Sequence, residues 1–272
     1  MRLVPADSLD LDALLALFNA AYADYAVPLQ LDRAGLEFTL AISDVDLGAS
    51  RIAYADCEPA AFAFLAVRGG EGWIGGMGTV AAHRRRGLGE ATLVDVLTTA
   101  RARGLESVRL EVIEDNSPAI RLYEKLGFER IRGLGVWLLE DAPPRITKAQ
   151  DADAEDAHAW IVSARTEPEP WQRADESLVH MRARGLRPAA LTVDLDGESA
   201  GAVLYHQVGD LPRILQLGAR DVQAATHLLA AVAAQGDGLR FVNVPDDEPA
   251  AVALERLRAR IEVRQHEMQL SL

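Results

Sequence analysis

RRRGLGEATLVDVLTTARARG (residues 84–104) joins a short glycine-containing loop to a helix. Ala91, Leu93, Val94, Leu97 and Ala100 recur on one helical face, and Gly104 supplies a left-handed stop. Upstream, GWIGGMGTV (72–80) reads as a strand, so RRRGLG (84–89) sits at a strand-to-helix junction. Free backbone N–H groups and the positive end of a helix dipole converge at such a point and suit a phosphate. Gly87 and Gly89 remove side chains that would block close approach of a pyrophosphate, and Arg84, Arg85 and Arg86 add positive charge. Taken alone, the loop reads more readily as a tight turn beside a solvated arginine run. It lacks the Lys-Ser/Thr of a P-loop and the GxGxxG of a dinucleotide fold.

The flanks narrow the reading. Ser8 is expected to cap a first helix carrying Leu11, Leu14, Leu15, Phe18, Tyr22 and Tyr25 on one stripe, with Pro28 ending it; a second helix spans about 32–42. RIAYAD and PAAFAFLAV form a hairpin across Cys57 and Glu58. After Gly104, SVRLEVI alternates Val108, Leu110 and Val112 and is a strand. Ser117 and Pro118 then open a helix that Gly127 closes. A strand pair is expected in FERIRGLGVWLLE.

Arg84-x-x-Gly87-x-Gly89, the helix, strand LEV, Asn116 and SPAIRLYEKLGF together resemble the GNAT acyltransferase superfamily over residues 2–140. The resemblance implies direct attack of an amine on the thioester of acetyl-CoA, without a metal. It places the pyrophosphate on the backbone of Arg84, Arg85, Arg86, Gly87, Leu88 and Gly89 and on the helix start at Glu90 and Ala91. Thr79 and Val80 would pair with the pantetheine arm, and Asn116 would lie near it; Asn116 reads equally as a helix cap. Tyr123, in Tyr-x-x-x-Gly-Phe, takes the place of the family tyrosine near the sulfur. A phenol of pKa about 10 can donate a proton to the departing thiolate. Ala81 departs from the proline many relatives carry before the loop. The general base is left open between Glu71, Glu111 and ordered water, and Tyr22, Asp24 and Tyr25 are the candidates for holding the acceptor amine.

Pro143 and Pro144 mark a linker, and the order of elements then repeats. A helical stretch of about 151–185 precedes a hairpin turning at Asp196 and Gly197, then strand RILQLGA and a helix. VPDDEPAAVALERLRAR overlays the Tyr123 region with Pro249 on Pro118, Glu255 on Glu124 and Leu257 on Leu126, but with Leu254 at the tyrosine and Arg258 at Gly127. Its loop lacks Arg-x-x-Gly-x-Gly. The expectation is an α/β (α+β) protein of two tandem GNAT-like domains, each a mixed sheet flanked by helices. Residues 1–142 would be catalytic and 143–272 degenerate.

Composition excludes other classes. Across 272 residues the net charge is −13, with 15 basic against 21 acidic residues through Arg145 and 13 against 20 beyond, so neither half suits a nucleic acid. The first residues lack a signal-peptide pattern and no apolar run is long enough for a membrane, which makes the cytoplasm the expected location. One cysteine, Cys57, leaves no disulfide or thiolate metal site, and His206 and His227 stand without ligand spacing. An acyl-CoA-binding sensor without turnover is the competing class.

Overall fold

Asp10, not Ser8, starts the first helix. The computed structural model describes residues 1–25, 29–140 and 147–272. After strand β1 (Arg2–Pro5), the Asp10 side chain accepts the Ala13 N–H at 2.8 Å and opens α1 (Leu11–Ala21). Ser8 instead bonds back to the Pro5 carbonyl. Tyr22 is already the C-cap, so Tyr25 lies beyond the helix, and Pro28 falls outside the described residues. Helix α2 (Arg33–Ile42) is capped by Asp32 as its spacing predicts.

Strands β2 (Arg51–Ala55), β3 (Glu58–Arg68) and β4 (Glu71–Thr79) follow. Asp56 and Cys57, at φ 52° and 70°, make the β2–β3 turn left-handed, which matches the twist of a hairpin. Helix α3 (Leu88–Ala102), β5 (Ser107–Ile113) and α4 (Ser117–Lys125) complete the first unit's run. On α3 the buried face is Leu93, Val96, Leu97 and Ala100, whereas Val94 is exposed. Residues 129–140 form one long strand, β6 (Glu129–Glu140), in place of the expected pair.

The second run is β7 (Ala149–Asp151), α5 (Ala154–Ala164), α6 (Asp175–Ala183), β8 (Ala189–Leu195), β9 (Glu198–His206), β10 (Arg213–Ala219), α7 (Val222–Ala233), β11 (Gly238–Pro245), α8 (Pro249–Arg256) and β12 (Arg260–Ser271). A short 3₁₀ turn, Trp171–Arg173, precedes α6. The β8–β9 hairpin turns at Asp196 and Gly197, at φ 57° and 82°, as the sequence predicts. Arg258 follows α8 at φ 63°, the conformation that Gly127 takes after α4 at 93°.

Two units result, one of Met1–Ile131 with Glu267–Leu272 and one of Arg132–His266. The change of unit falls inside β6 rather than at 142/143, and the Pro143–Pro144 linker lies outside the described residues. In the first unit the strands run β1-β2-β3-β4-β5, followed by the end of β12. β1 to β4 are antiparallel, whereas β4 and β5 are parallel and paired only from Glu71↔Ser107 to Trp73↔Arg109. Beyond Trp73 the two strands part. α1 and α2 pack Leu14, Phe18 and Leu36 with Ile52, Phe62 and Phe64. A separate layer holds Leu93, Val96, Ile120 and Tyr123 with Leu65, Val108 and Leu110, and Met268 and Leu270 of β12 join it.

The second unit repeats the plan. β7, β8, β9 and β10 are antiparallel, and β10 pairs in parallel with β11 only at Arg213↔Arg240 and Ile214↔Phe241. Its cores lie under α7 and α8 and under α5 and α6. Among the described residues no helix is long and apolar enough to cross a membrane.

Candidate active site

Among the described residues, five helices begin at a capping side chain, whereas α3 begins at Gly87 (φ 77°) and, like α6 at Ala174 and α8 at Glu248, has no side-chain cap. Ala91 N–H is spent on the Gly87 carbonyl, so the amides of Leu88, Gly89 and Glu90 are the unspent donors of the first turn. A Cβ at Gly87 would meet nothing within 4 Å, whereas one at Gly89 would press on Met77 Cε at 3.2 Å and Thr79 Oγ1 at 3.3 Å. Arg85 is also left-handed (φ 62°), so the loop turns sharply before α3. Unspent N–H groups at the positive end of a helix suit an anion such as a diphosphate.

The three arginines separate. Arg84 grips Asp24 with two bonds of 2.6 and 2.5 Å and donates to the Thr79 and Ala21 carbonyls, so it ties the end of α1 to the end of β4. That bond holds the Asp24 carboxyl below the usual carboxylate range. Arg86 is held by Asp56 and His83. Arg85 makes no ion pair with the described residues, and it is the arginine left to meet a phosphate. Glu90 pairs with Lys125. Val80 is occupied on both sides, donating to the Ala60 carbonyl and accepting from His83 N–H; of the two residues expected to pair with a pantetheine arm, it has no free N–H to offer.

Tyr123 is 7% exposed, with its hydroxyl 3.8 Å from Met77 Sδ. Tyr22 Oη donates to the Met77 carbonyl at 3.2 Å and accepts its N–H at 3.3 Å. Both phenols therefore meet at Met77, past the point where β4 leaves β5. Burial pushes both hydroxyls well above the ordinary phenol value, and the neighbouring tyrosines add to the shift. Tyr25, also raised by burial, is hydrogen-bonded to Asn116. Asn116 also caps α4 through Ala119 N–H at 3.4 Å, the helix-cap reading of this residue. Sequence reasoning missed Met77, and its only signal was its place in the strand before the loop.

The base candidates differ in position. Glu71 lies where β4 and β5 are paired and is bound by Arg109, which also faces the buried Glu267. Glu111 lies beyond that pairing, and its Oε2 accepts Trp73 Nε1–H at 2.7 Å.

Comparison with known proteins agrees with this geometry, since the Acetyltransferase (GNAT) family model matches residues 12–128. Residues 12–128 are thus similar to the GNAT acetyltransferase family. The chain is 34% identical over 120 residues to a mycothiol acetyltransferase of Clavibacter michiganensis, covering 44% of this chain and 39% of that one. The chain thus spans about two fifths of the length of that relative. A GCN5-related N-acetyltransferase from Sphaerobacter thermophilus superposes with TM-score 0.71 at 17% identity, over 98% of this chain and 93% of that one. A tandem GNAT protein from the clavulanic acid biosynthesis pathway gives 0.68 at 14%, over 99% and 98%. The α/β fold expected from the sequence is therefore the fold that these structures share.

The cradle yields a direct expectation. Gly89→Val pushes a branched side chain onto Met77 and Thr79 and should weaken CoA binding by about tenfold or more. Isothermal titration of CoA, with circular dichroism as the control for folding, reads this. Unchanged affinity would remove the loop from cosubstrate binding.

Proposed function

We propose that this chain transfers an acetyl group from acetyl-CoA to a primary amine of a small molecule or peptide, at one site in the first unit. The observation that carries the reading is the uncapped α3 N-terminus at Gly87, next to a parted strand pair and the buried hydroxyl of Tyr123. Acetyl-CoA supplies the activated carbonyl. Leu88, Gly89 and Glu90 N–H hold its diphosphate, with Arg85 adding charge. Tyr22 fixes the β4 backbone at Met77, and Asp24, clamped by Arg84, braces the segment carrying Tyr25. Glu111, on the open part of β5, takes the ammonium proton directly or through water. Tyr123 donates its hydrogen bond to the sulfur as negative charge builds there.

The second unit is proposed to hold no cosubstrate. Asp221 caps α7 through the Ala224 N–H at 2.9 Å, which puts a carboxylate where a phosphate would need bare amides. Release of free thiol from acetyl-CoA across a panel of amines tests the activity, and mycothiol-related amines belong in it because of the relatives' name. Titration should give one CoA per chain. Two equivalents would refute the single site, and binding without turnover on any amine would leave an acyl-CoA sensor instead.

A further inference from the structure

The second unit keeps the parted strands and lacks the phosphate cradle, yet a cavity of about 170 Å³ opens there. Its walls include Leu217, Gly218 and Ala219 at the end of β10, Ile161 of α5, and Pro249 and Ala250 at the start of α8. Four carboxylates line it, Glu167, Glu169, Asp247 and Glu248, against two guanidinium groups, Arg132 and Arg165.

Those cations are already engaged. Arg165 makes a two-pronged pair with Asp175 at 2.9 and 3.0 Å and reaches Glu169 only at 3.8 Å. Asp175 is further held by His158 and Gln216. Arg132 donates to the Pro168 carbonyl. Behind the wall lies Arg173, 2% exposed, which is shared between Glu169 at 2.9 Å and Glu248 at 3.5 Å. One guanidinium faces two carboxylates, and Glu169 itself is only 6% exposed. Glu248 is 31% exposed, and Arg165, the second cation near Glu169, is committed to Asp175, so carboxylates outnumber the guanidinium groups free to serve them at the cavity wall. The raised affinity of Glu169 for a proton, caused first by burial and then opposed by Arg173, agrees with that shortage.

We propose that this cavity binds a small ammonium ion with a short apolar body, the charge lying against Glu169 and Glu248 and the body against Ile161, Leu217 and Pro249. Cavities of about 150 Å³ hold molecules the size of benzene, so the ligand has about six heavy atoms. This site is separate from the acceptor site of the first unit, and its occupant need not be a substrate.

The test uses the ¹⁵N-labelled full chain without acetyl-CoA, titrated with butylammonium while the amide signals of Gly218 and Ala250 are followed. Saturable shifts are expected, and in Glu169→Gln the dissociation constant should rise about tenfold or more, the scale of a lost charge-assisted contact. Glu248→Gln should give the same direction and serves if the first variant does not fold. Butanol and butyrate should produce no saturable shift. Absence of shifts in the natural chain, unchanged affinity in the folded variants, or preferential binding of orthophosphate at the α8 N-terminus would overturn the proposal. Because no acetyl donor is present, failure of acetyl transfer leaves this readout unaffected.

Discussion

Tyr123→Phe should lower kcat by about a hundredfold, the lower end of what a positioned proton donor contributes, with CoA affinity almost unchanged. The ring stays: it packs 5.8 Å from Phe128 inside the layer formed by α3, α4 and β5, so phenylalanine fills the same space. Only the hydroxyl near Met77 Sδ is lost. A free thiol, at about 8.5, is a stronger acid than a phenol, so burial that raises Tyr123 further disfavours full proton transfer. The same burial also disfavours a thiolate beside it, which narrows the difference and makes a hydrogen bond to the sulfur the more valuable interaction. With its affinity for protons raised, the phenol stays protonated through neutral pH and is lost only in alkali, so the hundredfold deficit should be flat across neutral pH. Steady-state kinetics at several pH values measures this. A variant with natural kcat would remove Tyr123 from the chemistry.

The second large effect is on stability. Arg173→Ala should destabilise the second unit by about 3–5 kcal/mol, the cost of breaking a buried ion pair from one side. Arg173 donates to the Asn243 carbonyl at 2.9 Å, lies 4.6 Å over the Phe241 ring and serves both Glu169 and Glu248. Asn243 takes a left-handed conformation (φ 52°) where β11 shifts register against β6, so its carbonyl would be orphaned at an already costly position. Trp171, in the same 3₁₀ turn, offers a fluorescence probe for denaturant unfolding. Adding Glu169→Gln to Arg173→Ala should restore part of the loss, since it removes the stranded charge. A loss below about 1 kcal/mol, the scale of an exposed pair, would show that the network is not buried in solution.

The readable parts of this protein were the local ones. The α3 stop at Gly104, the α4 start at Pro118, the Asp32 cap and the Asp196–Gly197 turn each depend on a few adjacent residues, and each stands where the sequence places it. Ser8 failed against Asp10 because two capping residues stood two positions apart and only the chain path from β1 decides between them. A strand pair was expected where β6 runs unbroken; its Gly133 and Gly135 give room to the Asp246 side chain and to the ring of Trp137 rather than making a turn. At the site, the loop and Tyr123 were legible from motif spacing. Arg84 and Arg86 looked like phosphate ligands, and their commitment to Asp24 and Asp56 is set by partners 60 and 30 residues away, beyond any local pattern. The ion network around Arg173 has the same origin, with its members drawn from residues 158 to 248.

The shared strand β12 has a bearing on biogenesis. Its final residues, Glu267–Leu272, belong to the unit that begins at Met1, and Met268 and Leu270 are part of that unit's core. A ribosome therefore finishes the helices and loop of the first unit long before it delivers the last piece of its interior. Until then the β5 edge waits without its final neighbour, and the first unit, although it emerges before the second, closes only after the second has been made.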